Sequence, residues 1–423
     1  MDTLAAPILD REAMAARYRA NRRRTAGLFA TIAPEAYGDS PIPLRHPFLF
    51  YDGHIPDFAF ITLPRDALKY APIDPAYEKL FNRGIDPRDT AAAEAHKRDG
   101  WPSRKLIEEF GAKCDAAVLD AFANGKLDDP AVPNLVHAEA AWNVLEHEEM
   151  HHETFTYIVH RLARDKQRGP HDTHRDVAPP RRDPIAIPAG RATLGARRGA
   201  IPFGWDNEFD EHVLDVGAFA VDAYDVTNGD WLAFLRDGGP VPPNWFEGDG
   251  AWMLRCVFED IPLPLSWPVY VSQQDATAFA AWSGGRLMTE PEYHRAAYGT
   301  PSGDERPHPW GDAAPDPAIH GNFGWKRFDP EPAGSSPAGA SAWGVEDLVG
   351  NGWEWTSTPF APFAGFAPMA SYPLYSADFF DGKHYVIKGA APVTASTLIR
   401  RSFRNWFYLD YPYMYATFRR AYD

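Results

Sequence analysis

Over residues 1–165 apolar positions recur at helical spacing, and beyond them that rhythm is lost. Candidate helices fall at 11–31, 47–64, 102–124 and 134–164. Pro47, Pro102 and Pro133 stand at or near three of the starts, where a missing N–H costs little. Four helices of this length, with one long connection over 66–100, predict an up-and-down bundle. The stretch "RDKQRGPHDTHRDVAPPRRDP" (164–184) is polar, charged and proline-rich, and reads as a linker. After it come short runs of β-branched and aromatic residues broken by Gly, Pro, Asp and Asn. Three segments there still read as helices, 227–238, 272–285 and 289–299, each with Ser or Thr at its start and Gly at its end. The pattern predicts an α+β chain of two domains: a helical bundle over 1–165, a linker over 166–184 and a second domain over 185–423.

The fourth helix carries "HEEMHHETF" (147–155). Its apolar residues Val144, Phe155, Ile158 and Leu162 form one face once His147 and His151 are inserted between them. The two histidines therefore lie on the stripe that faces the bundle interior. Glu148, Glu149 and His152 fall off it and are expected to be solvated. Imidazoles at i and i+4 can share one metal ion; two core histidines hydrogen-bonded to neighbours fit the same spacing. A third ligand would come from another helix, and His54, in the aromatic-rich "HPFLFYDGHIPDF" (46–58), is the candidate. His46, at a helix start, and His137 and His160, off the stripe or turns away, are poorer ones.

Composition narrows the class. The chain has 423 residues, 45% of them hydrophobic, enough for more than one core, and a net charge of −16. That charge argues against a nucleic-acid partner or an anionic membrane; the Arg22–Arg24 cluster reads as the outer face of a helix. Two cysteines, Cys114 and Cys256, make no disulfide framework and fit a reducing compartment. With no signal-like start and no long apolar run, a cytoplasmic protein is expected.

"GHIPDF" followed by "HEEMHHE" resembles the DinB-like iron domain of the sulfoxide synthases of ergothioneine and ovothiol biosynthesis. That family's motif, His-x3-His-x-Glu with one upstream His, matches His147, His151 and Glu153, with His54 upstream. The second half resembles the formylglycine-generating-enzyme/sulfatase-modifying module, a C-type-lectin-like fold. The matching segments run in order: "WDNEFDEH" (205–212), "VTNGDW" (226–231), "WPVYVSQQDATAFAAWSGGRLMTEPEYHRAAYG" (267–299), "PWGD" (309–312), "SAWGVEDLVGNGWEWTS" (341–357) and "SFRNWF" (402–407). Both halves in this order are similar to the selenoneine synthase/ergothioneine sulfoxide synthase family.

The resemblance implies Fe(II) held by His54, His147 and His151, with positions left for O2 and a donor sulfur or selenium. Glu153 is then an acceptor for a ligand N–H. It implies hercynine (N,N,N-trimethylhistidine) as substrate, whose quaternary ammonium needs aromatic faces, with Trp406 and Asn405 as contacts. "SYPLYSADFF" (371–380) matches a segment with active-site tyrosines, which makes Tyr372 and Tyr375 candidate proton donors. Three departures stand out. Met150 replaces a glutamine, which puts an amide contact to the substrate imidazole in doubt. Phe407 stands where the γ-glutamylcysteine-using branch has Asp, which favours a selenosugar donor and the selenoneine branch, with the ergothioneine reaction on γ-glutamylcysteine or cysteine as the alternative. "KGAAP" (388–392) replaces Arg-Gly-Gly-Ser. The expected partners are hercynine, the donor and O2, and the chain is expected as a monomer or homodimer. A formylglycine-generating oxidase would need two cysteines near the C-terminus. A lectin-like binding module would hold no iron, and a metal-dependent thiol transferase would need no O2.

Overall fold

The computed structural model describes residues 9–82 and 100–423. They fall into two compact units. The first is Met1–Pro170 together with Met369–Pro373, and the second is His171–Pro368 with Leu374–Asp423.

The first unit is helical. Helix α1 (Arg11–Phe29) is capped by Asp10, whose carboxylate accepts from Ala13 N at 2.8 Å. Helix α2 (Phe48–Phe60) follows Pro47 and runs on into a π-helical turn, Ile61–Ala67. Apart from Asp52, every α2 side chain is buried, so α2 is the central helix rather than an amphipathic one. Helix α3 (Pro75–Phe81) lies inside the predicted connection, whose remainder at 83–99 is outside the described residues. Helices α4 (Arg104–Asn124) and α5 (Glu139–His160) complete the set; α5 is preceded by a tight 3-10 turn over Pro133–Ala138 in place of the predicted first helical turn.

One expectation for α5 fails. Glu148, Glu149 and His152 are not solvated; they are 1%, 3% and 1% exposed. Their face is covered by α1. Arg17 grips both oxygens of Glu149, at 2.8 and 2.5 Å, and Arg22 reaches Glu148 at 2.9 Å. Thr25 Oγ1 bonds Glu148 at 2.6 Å and meets His152 Nε2 at 2.8 Å. Burial alone would push the Glu148 carboxyl up, but Arg22, His152 and Thr25 together hold it below the usual range. Arg22, expected on an outer face, thus points inward and also pairs with Asp115.

The second unit is sheet-rich, with strands numbered in chain order. One four-stranded sheet has β1 (Ile185–Ile187) beside β4 (Phe219–Val221), then β13 (Arg420–Tyr422) and β8 (Arg286–Leu287). The other has β11 (Asn405–Tyr408) at one edge, then β10 (His384–Ala390), β9 (Gly352–Pro359) and β12 (Ala416–Thr417). A pair, β2 (Gly190–Leu194) and β3 (His212–Val216), and a three-stranded meander, β5 (Trp245–Gly248), β6 (Ala251–Arg255) and β7 (Asp260–Pro262), flank them. The three predicted helices are present as α6 (Asn228–Arg236), α7 (Gln273–Trp282) and α8 (Glu290–Tyr298). Thr227, Ser272 and Thr289 cap them through their side chains.

The "WEW" segment serves the fold. Glu354, on β9, is fully buried and takes two bonds from Arg419, each at 2.7 Å. Arg419 also reaches Asp225 at 3.0 Å and the carbonyls of Asp222 and Ala223. Burial holds the carboxyls of Asp225 and Glu354 above their ordinary range, against the pull of Arg419, which lowers both. Among the described residues no helix is long and apolar enough to cross a membrane.

Candidate metal centre and aromatic substrate face

In the first unit α5 brings His147 and His151 to one face, and α2 sets His54 against them. One ring nitrogen from each of the three lies within 4.8 Å of the others. His147 Nε2 and His151 Nε2 are 3.1 Å apart. Burial, and then the neighbouring histidines (with Arg45 beside His151), push His147 and His151 well below their ordinary range; burial takes His54 down to about 4. All three are neutral at pH 7, the state that ligates a metal. Two neutral imidazoles can share only one hydrogen bond through that Nε2 pair, so the remaining ring nitrogens need partners elsewhere. His151 Nδ1 is indeed buried with no partner. A divalent cation accepting three nitrogens fits this donor set.

What orients His54 was not visible as a motif. Its Nδ1 meets the carbonyl of Phe81, at the end of α3, at 2.8 Å. Such a contact fixes the tautomer and aims the other nitrogen. Gly53 makes it feasible, since a Cβ there would lie 2.4 Å from the Phe81 ring. Gly53→Ala should therefore displace Phe81 and lower metal affinity by about 10- to 100-fold, the range for losing such an outer contact. Isothermal titration with Fe(II) under argon checks this; unchanged affinity would remove Phe81 from the account. Glu153, the expected acceptor, is buried on α5.

Aromatic rings line the same region. Phe58 stacks on His147 at 3.5 Å between centroids, and Tyr51 lies 5.7 Å from His151. The first unit also takes in Tyr372, whose ring is 6.2 Å from His147 and 5.2 Å from Phe58. Neighbouring Ser371 is fixed to α5, its N–H donating to Glu139 and its hydroxyl accepting from Asn143. Met150 is half-buried beside His151.

Tyr375 belongs to the second unit. It stacks on Trp205 at 3.9 Å and stands edge-on to Trp406 at 5.2 Å. The expected contact set 405–407 is divided by strand alternation along β11. Trp406 faces one way, stacked on Phe360 at 4.2 Å and near Phe379. Phe407 faces the other, against Tyr411 at 5.1 Å. Asn405 lies on the Phe407 side, its Oδ1 accepting from Trp406 N. Trp406 and Phe407 therefore do not line one wall. Of the "KGAAP" departure, Lys388 is buried and donates to the carbonyls of Arg401 and Phe403, while nothing in the structure explains Ala390 and Ala391. Burial brings its ammonium down to about 8. Gly389 is at φ +90°, and a Cβ there would meet Leu348 O at 2.6 Å.

Fold and histidine triad together define a class of protein: a DinB-type helical bundle carrying a candidate metal centre, joined to a sulfatase-modifying module. Residues 17–155 match the DinB superfamily, and residues 171–423 match the sulfatase-modifying factor enzyme 1-like domain. A hercynine oxygenase of Mycolicibacterium thermoresistibile is 33% identical over 90% of this chain and 88% of its own length. Another from Mycolicibacterium smegmatis is 31% identical over 88% and 89%. Ergothioneine biosynthesis protein 1 of Neurospora crassa is 28% identical over 91% of this chain and 55% of its own. The chain belongs to the hercynine oxygenase family, a family of oxidative enzymes.

Proposed function

We infer that the chain is a non-heme Fe(II)- and O2-dependent synthase that joins selenium or sulfur to the imidazole ring of hercynine. The observation that carries this reading is the neutral triad His54, His147 and His151, in a chain related over nearly its whole length to hercynine oxygenases. The overall change balances as C–H plus HX–R plus O2 giving C–X(=O)–R plus H2O, with X selenium or sulfur. Bound iron would supply the activation of O2 and the site for the donor atom. The chain's own part is to hold the metal, to place the ring and to manage a proton. Of the two candidate phenols, Tyr372, whose ring lies 6.2 Å from that of His147, is the one to which we assign this proton. Tyr375, packed on Trp205, is placed to shape the aromatic face around Trp406.

Trp406 offers the face for the quaternary ammonium. Trp406→Ala should weaken hercynine binding by about 1–2 kcal/mol, the scale of a desolvated cation–π contact. Plain histidine should lose less. Equal losses for both ligands would make Trp406 packing only.

The donor we favour is a selenosugar. An acid at position 407 would grip an amino-acid donor through a charge-assisted bond worth about 1.5–3 kcal/mol, and Phe407 cannot. The wild type should prefer a sugar-borne selenolate or thiolate over γ-glutamylcysteine by about tenfold or more in kcat/KM. Phe407→Asp should narrow the gap. The test is anaerobic Fe(II) enzyme with hercynine and competing selenosugar, thiosugar, cysteine and γ-glutamylcysteine, opened to O2, with products weighed by mass spectrometry. Equal use of γ-glutamylcysteine would replace the selenoneine reading by the ergothioneine one. Product formation without O2 uptake would end both.

A further inference from the structure

We propose that His174, Cys256 and Asp329 form a second metal site, of the Zn(II) type, in the second unit and separate from the histidine triad. One ligand atom from each lies within 4.8 Å of the other two. The three come from segments far apart in the chain, so their meeting is not an accident of local spacing. Cys256 opens the turn between β6 and β7, closed by its own N–H donating to Glu259 O at 2.8 Å. Asp329 is fixed beside it by the Val257 N–H at 2.9 Å. His174 arrives from the segment after the first unit, held on either side. Trp267 Nε1 donates to Arg175 O at 2.7 Å, Asp172 N to Glu259 Oε1 at 3.0 Å, and Arg327 pairs with Asp172 at 3.0 Å.

The donors are built in rather than displayed on a surface. Cys256 is 1% exposed and Asp329 6%. Both ring nitrogens of His174 are buried; Nε2 stands 2.9 Å from Glu259 Oε1, whereas Nδ1 has no hydrogen-bond partner. A buried ring nitrogen without a hydrogen bond is costly unless something accepts its lone pair. A cation would do so. Sulfur, nitrogen and one carboxylate, with water as a fourth donor, suit a four-coordinate borderline ion, whereas Mg(II) or Ca(II) would want oxygen alone. On binding, the Cys256 thiol would lose its proton to solvent and the metal–sulfur bond would form with no change of oxidation state.

This inference does not rest on the proposed function, because its readout is not turnover. The full chain carrying His147→Ala and His151→Ala is stripped with chelator and titrated with Co(II). One equivalent should bind with a near-ultraviolet thiolate-to-Co(II) absorption, which Zn(II) then displaces. Cys256→Ser should abolish the band, and His174→Ala should weaken binding at least tenfold. Cys114→Ser, altering the chain's other cysteine, should leave the band intact. Circular dichroism confirms that each variant is folded; His174→Ala, being nearer the surface, serves if Cys256→Ser is not. A second readout is trypsin cleavage at Arg175 and Arg181, which Zn(II) should slow. No thiolate band in the parent, or a band that survives His174→Ala at unchanged affinity, would overturn the site.

Discussion

His147→Ala or His151→Ala should leave a folded protein without iron. Removing one of three nitrogens costs more than losing an outer contact, so Fe(II) affinity should fall by more than about 100-fold. Turnover should drop to the level of chelated wild type. Thermal stability should move little, because alanine is the best helix former and α5 keeps Val144, Phe155 and Ile158 buried. Iron content by plasma emission and O2 uptake by electrode check the two halves together. Stoichiometric iron with full activity in both variants would dissolve the metal assignment.

The second large effect is structural. Arg419→Ala should strand the buried carboxyls of Glu354 and Asp225, which no other guanidinium reaches among the described residues. Breaking one side of a buried ion pair costs about 3–5 kcal/mol. For a domain of this size that corresponds to a fall in Tm of about 6–20 °C. Differential scanning calorimetry measures it, and a shift within 2 °C would show that the network contributes little. Arg419→Lys should recover only part of the loss, since one ammonium cannot replace the two parallel bonds to Glu354.

Much of this architecture is legible from pattern. The long helices announce themselves by 3.6-residue periodicity and proline starts, and α6, α7 and α8 by Ser or Thr caps. The His147–His151 pair is legible because both sit on an apolar stripe; His54 joins them only through the resemblance carried by "GHIPDF". What escaped depends on partners distant in sequence. Glu148, Glu149 and His152 look like a solvated face until Arg17, Arg22 and Thr25 of α1 are laid against them. The acceptor for His54 is a backbone carbonyl, which carries no residue signature at all. Only the glycine before His54 hinted at a close approach. His174, Cys256 and Asp329, scattered over three segments, offer no spacing to read.

The alternation along β11 has an evolutionary consequence. With Trp406 and Phe407 on opposite faces of one strand, two positions adjoining in the gene meet different surroundings, Trp406 packing on Phe360 and Phe407 on Tyr411. Either can be exchanged without repacking the other. A lineage could thus alter the surface on one side of this strand while the other side keeps its packing, and a single codon would be enough to begin that divergence.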